Sequence, residues 1–185
     1  MKLGTVALIL ALVTAPACGG GGGSDTEPGG SPGPLAASFI PDQETPGAKT
    51  VAMAQGTKAN DVVNVYVTLT ETSGVYGAAL DVIFDDAHAV FIGYTKGAAF
   101  EQGSDVPNYL VDGTTNPGRV VIGVSRTSGT TTNIIGSKAM VTLKFRVKNA
   151  GTFPMSVQNG AVYDGQSTPQ PIAGISWYAG ALQGV

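Results

Sequence analysis

From Lys49 onward the chain alternates apolar and polar residues with a period of two. Over Val62 to Thr70, Val63, Val65, Val67 and Leu69 point one way while Asn64, Tyr66, Thr68 and Thr70 point the other. That is the requirement of a strand with one buried face. Lys138 to Lys148 repeats the pattern, with Ala139, Val141, Leu143, Phe145 and Val147 inside and Lys138, Thr142, Lys144, Arg146 and Lys148 outside. Further strands are predicted near Thr50 to Gln55, Gly77 to Phe84, Ala89 to Tyr94, Tyr109 to Asp112, Arg119 to Arg126, Thr152 to Val157, Ala161 to Tyr163 and Ile172 to Ala181. Turn signals separate them at Asp85-Asp86, Asp112-Gly113, Asn116-Pro117-Gly118, Ser128-Gly129, Asn149-Ala150-Gly151, Asn159-Gly160 and Asp164-Gly165. The best helical candidate, Asp85 to Val90, spans barely a turn. Short strands with Gly-rich turns and no internal repeat predict an all-β fold, a single β-sandwich or jelly roll.

The segment before this domain carries an address. Residues 1–17 read as a positive start, an apolar run from Leu3 to Val13 and the small residues Thr14-Ala15-Pro16-Ala17, the layout of a signal peptide. Its apolar run is too short to span a bilayer. Cys18 directly follows, and the junction resembles a lipobox, where bacteria attach diacylglycerol to the thiol and cleave before it; that family usually has Leu where Ala15 stands. The resemblance implies lipid attachment at Cys18 and a membrane-anchored lipoprotein. In Gram-negative lipoproteins Asp after the lipidated cysteine resembles an inner-membrane retention signal; Gly19 stands there instead, which points to the outer membrane or cell surface. Residues 18–46 are read as the lipidated cysteine and a Gly/Pro/Ser-rich flexible linker, because this stretch holds almost nothing apolar to offset the entropy of ordering. Its end-to-end distance is on the order of 30 Å. No strand precedes its glycines and no helix or lysine follows at the spacing of a phosphate loop. The folded domain is placed at residues 47–185.

Composition narrows the chemistry. The formal charge of -3 becomes -4 once Lys2 is removed, because 9 Lys+Arg then face 13 Asp+Glu, and nucleic acid would want a basic stripe instead. The one cysteine excludes an intramolecular disulfide, and a monomer held together by burial is expected. The one histidine, His88, removes most of the usual equipment for metal binding and general base catalysis. No catalytic residue, metal or cofactor is expected.

Two stretches now carry a family resemblance. Gly77-Ala78-Ala79-Leu80-Asp81-Val82-Ile83-Phe84-Asp85-Asp86, continuing through Phe91-Ile92-Gly93-Tyr94-Thr95-Lys96-Gly97, is similar to the cohesin segment in which an aromatic-Asp-Pro turn joins two strands. Ala139 to Lys148, followed by Gly151-Thr152-Phe153, resembles the cohesin strand that ends in Phe-x-Val-Lys before Gly-Thr. Asp86 stands where the family usually has proline. The resemblance covers about Lys49 to Val185 and implies a nine-stranded jelly roll that docks a protein partner, a calcium-loaded dockerin, through one sheet face. It matches no contact residues.

Individual candidates are set against their plainer readings. Asp81, Asp85 and Asp86 are the densest acidic cluster, yet Asp85 and Asp86 suit a turn better than a calcium loop, for which Ala87-His88-Ala89 supplies nothing. Ser125 and Ser128 lack a nucleophile elbow, and only His88 could serve either as base. Tyr66, Tyr94, Tyr109, Tyr163, Trp177 and Tyr178 are the rings available for stacking on sugars. In Ser176-Trp177-Tyr178 one ring is expected in the core and the other exposed, making Trp177 and Tyr178 the candidate glycan-stacking pair. The leading expectation is a membrane-anchored protein-docking module. A carbohydrate-binding module adhering to polysaccharide, and a structural envelope lipoprotein, are the alternatives.

Overall fold

The computed structural model describes residues 34–185 apart from Gln102, Ser104 and Gln166. The signal peptide, Cys18 and the glycine run lie outside the described residues. Ten strands follow one another: β1 Ala37–Pro41, β2 Thr50–Ala59, β3 Val62–Ile83, β4 Ala89–Lys96, β5 Asn108–Asp112, β6 Arg119–Ser125, β7 Thr132–Val147, β8 Gly151–Asp164, β9 Ser176–Tyr178 and β10 Gly180–Gly184. The fold is the expected all-β sandwich. No helix occurs among the described residues, and Asp85 to His88 form a turn.

The long strand β3 joins the two layers. Its first half pairs with β2 and β7, and its second half with β6 and β8. One layer thus runs β9-β2-β3-β7-β4 and the other β5-β6-β3-β8-β10-β1. The corner lies at Glu71 to Gly74, where φ is 39° and 69° at those two residues and the register with β7 slips twice. Asn133 accepts a 2.9 Å hydrogen bond from the Gly74 amide and holds the bend.

Val63, Val65, Val67 and Leu69 are buried from one layer, Val120, Ile122 and Val124 from the other, and Leu143 and Phe145 seal the centre. Phe145 meets Phe84 and Phe91 edge-on, with ring centroids 5.1 and 5.8 Å away, an arrangement aromatic pairs favour.

Five sequence expectations change. The linker read as reaching residue 46 ends sooner, because Ala37–Pro41 pairs with β10 and sends Ala37 and Phe39 into the core. The stretches near Val62 and Gly77 are one strand bent at its corner, and Ile172 to Ala181 is divided between β9 and β10. The turn expected at Asn159-Gly160 is a bulge inside β8, with Asn159 at φ 50° and a register slip opposite Ala79 to Asp81. On β7 a bulge opposite Val67 and Thr68 puts Met140 inside, leaving Ala139 half-buried.

Candidate docking face

The two outer faces of the sandwich differ. Opposite the buried side of β5-β6-β3-β8, the outward residues fall into rows set by the strand register. One row reads Leu110, Gly123, Ala79, Ala161 and the next Asn108, Ser125, Gly77, Tyr163. The central strands therefore present almost no side chain beyond Cβ, while the flanking strands raise Leu110, 63% exposed, and Tyr163. Between them lies a trough of about 440 Å³ whose wall includes Tyr76, Tyr109 and Pro169. Gly77 is required there, because a Cβ would come within 2.8 Å of the Val124 carbonyl oxygen. At Gly123 a Cβ would meet only Leu110 Cβ, at 3.6 Å.

Polar groups fix the ends of this face. Asp81, 4% exposed, accepts hydrogen bonds from Arg119 Nη2 and Asn159 Nδ2, both at 2.6 Å. The bulge at Asn159 delivers that amide. Before β5, Arg126, 2% exposed, pairs with Asp105 at 2.9 Å and donates to the Phe100 carbonyl at 3.2 Å. This pair ties the segment leading into β5 to the end of β6. The Tyr109 hydroxyl donates to the Gly97 carbonyl at 2.6 Å, and burial, with the charge of Glu101, raises its pKa. Arg126→Met leaves the Asp105 carboxylate without its cation and the Phe100 carbonyl without the guanidinium that donates to it. It is expected to lower the melting temperature more than Arg119→Met, whose side chain is 41% exposed; equal effects would contradict the structural role assigned to Arg126.

Two carboxyls are held low. The Thr127 hydroxyl chiefly, opposed by burial and aided by Ser128 and Arg126, lowers Asp105 from 3.8. The Thr115 hydroxyl and the Thr114 amide lead in lowering Asp112. A carboxyl that titrates lower when folded stabilises the fold above its unfolded value, and the contribution disappears as pH falls through the folded value. Melting temperatures should therefore stay level above about pH 5 and fall in acid, and the Asp105→Asn, Asp112→Asn double variant should flatten that acid limb. An unaltered acid limb would contradict the bonding assigned to these two groups.

The residues singled out from sequence are dispersed. Asp81 lies on the trough face, whereas Asp85 accepts from the Ala87 amide at 2.9 Å within its turn and the Asp86 carbonyl accepts from Lys148 Nζ. His88 stacks on Phe153 at 4.3 Å and contacts Asn149. Ser125 sits in the trough, while Ser128 donates to Asp105 at 2.8 Å. Trp177 packs against the core over Gly160, whose missing Cβ would stand 2.8 Å from the indole, and Tyr178 is 37% exposed. The pair is thus split as alternation requires, one ring in and one out. Sequence reasoning missed the trough; its signal was the run of Gly and Ala at outward strand positions.

Comparison with known proteins converges on one family. The family model described as cohesin domain matches residues 48–175. A chain of the CaDoc0917–CaCohA2 complex is similar, at 18% identity and a TM-score of 0.56, over 69% of this chain and 95% of that one. The second type II cohesin module of the adaptor scaffoldin ScaA of Acetivibrio cellulolyticus aligns at 10% identity and a TM-score of 0.54, over 78% and 95%. The sixth cohesin of scaffoldin B from Acetivibrio cellulolyticus, in complex with the Cel5 dockerin, aligns at 15% identity and a TM-score of 0.51, over 77% and 96%. No curated protein matches. With the model spanning more than half of the chain and the sandwich matching solved cohesins in fold, the chain belongs to the cohesin domain family.

Proposed function

We propose that this protein is a non-catalytic docking module that binds a calcium-loaded dockerin on its β5-β6-β3-β8 face while a lipid on Cys18 holds it at the membrane. The observation that carries the reading is the trough of Gly77, Ala79, Gly123 and Ala161 between the Leu110 and Tyr163 ridges. β5 and β8 stand three strand spacings apart, about 14 Å. Allowing for the ridge side chains, the channel suits an α-helix of roughly 10 Å diameter. Burial of Leu110 and the trough floor would supply the apolar centre of the interface, and Arg119 and Asn108 its polar rim, over about 800 Å² per partner. The complexes of two similar chains, CaCohA2 and the sixth cohesin of scaffoldin B, support a dockerin as the partner.

The test is calorimetric titration of the chain from Gly19 onward with a panel of dockerin modules, with calcium and with chelator, beside soluble polysaccharides. Saturable calcium-dependent dockerin binding is expected. Polysaccharide affinity abolished by Tyr178→Ala, with no dockerin response, would replace this reading by the carbohydrate-binding one.

The anchor has its own test. Cys18→Ser should block lipidation and move the protein from the detergent phase to the aqueous phase, or leave uncleaved precursor. An unchanged membrane fraction would sink the lipoprotein reading.

A further inference from the structure

The opposite face of the sandwich has a different chemistry. Across β2, β3, β7 and β4 the outward residues, set by register against the buried Val63, Val65 and Val67, include Tyr66, Lys144 and Arg146. Val90, 37% exposed, lies beside Arg146, and Tyr178 lies beside Ala52 at the far edge. Lys58 lines one depression with Lys144 and Arg146, in which Asp61, paired to Arg146 at 3.2 Å, is the acidic residue. Asp85 and Asp86 lie in the adjoining turn, near Lys148. A chain of net charge -3 thus gathers three cations against one carboxylate in a single depression, on a face that also shows amphipathic rings.

The path of the chain says what this face meets. Pro34 and Leu35, where the described residues begin, border a second depression with Arg146 and Lys148, so the chain enters the fold at the basic end of this face. Fifteen residues, 19–33, separate that entry from Cys18. A segment of that length reaches at most about 50 Å. Cations and tyrosines on one face are the composition of side chains that settle at a lipid–water boundary, with the rings in the interface and the charges among phosphates.

We infer that the β2-β3-β7-β4 face is a contact surface for anionic phospholipid headgroups, which lays the module on its membrane and turns the trough outward. The inference rests on the Cys18 anchor for its motive but on the face for its chemistry, and the two fail separately.

The experiment is co-sedimentation of the unlipidated chain from Gly19 onward with vesicles of phosphatidylcholine, and of phosphatidylcholine mixed equally with phosphatidylglycerol. Binding to the anionic vesicles only, weakened by salt, is expected. Lys58→Gln with Lys144→Gln should reduce it roughly 30-fold, at about one elementary attraction lost per lysine, whereas Lys96→Gln, over the Tyr109 ring, should leave it unchanged. Equal sedimentation of wild type and double variant, or no preference for anionic vesicles, would overturn the inference. Lysine-dependent retention on an acidic polysaccharide without vesicle binding would overturn it too, in favour of a glycan. Mass spectrometry of Cys18 from the membrane fraction reports on the anchor independently; an unmodified thiol would sink the anchor and leave the vesicle result standing.

Discussion

Phe145→Ala is expected to destabilise the fold by about 3 to 5 kcal/mol, the range for an aromatic ring removed from a packed core. The ring is fully buried where Phe84 and Phe91 converge on it, so its loss opens a cavity between β7 and the turn after β3. Since a domain of this size is stable by only about 5 to 15 kcal/mol, the variant should melt far below wild type or fail to accumulate. Lys144→Ala, one residue away on the outer face, should shift stability by no more than about 0.5 kcal/mol. Similar losses from the two in urea titrations would reverse the assignment of faces on β7.

Gly123→Arg is expected to remove docking while leaving the melting temperature close to wild type. A Cβ at 123 meets only Leu110 Cβ at van der Waals distance, so the fold has room for the substitution. The guanidinium then occupies the floor of the trough, where a partner helix would have to displace it or stand away from Leu110 and Tyr163. Filling the centre of an interface costs far more than altering its rim, and a loss of at least about 100-fold in affinity is expected. Undiminished affinity in calorimetry would remove the trough from the interface.

Period-two patterning made the buried faces of β3 and β7 legible, because burial on one side leaves its mark at every second residue. It failed where the chain departs from that period. Met140 occupies a core position because a bulge inserts one residue, and Asn159-Gly160 looks like a turn although it kinks a continuous strand. β1 is five residues ending in Pro41, and its membership of the sheet depends on β10 at the far end of the chain. The trough was hidden for a similar reason. Gly77, Ala79, Gly123 and Ala161 are unremarkable separately and become a surface only when β3, β6 and β8 pair in one register. The Asp105–Arg126 pair is likewise non-local, joining a segment before β5 to the residue after β6. By contrast, the inward and outward members of the Trp177-Tyr178 pair follow from simple alternation, and the structure divides them in that way.

Amide hydrogen exchange of the chain with and without a calcium-loaded dockerin partner tests the docking face most directly. Added protection is expected at Gly77 to Asp81, at Asn108 to Val111 and at Val121 to Ser125, with Asn64 to Thr68 and Thr142 to Arg146 unchanged. Protection confined to the latter two segments, or none anywhere at saturating partner, would contradict the assignment of docking to the β5-β6-β3-β8 face.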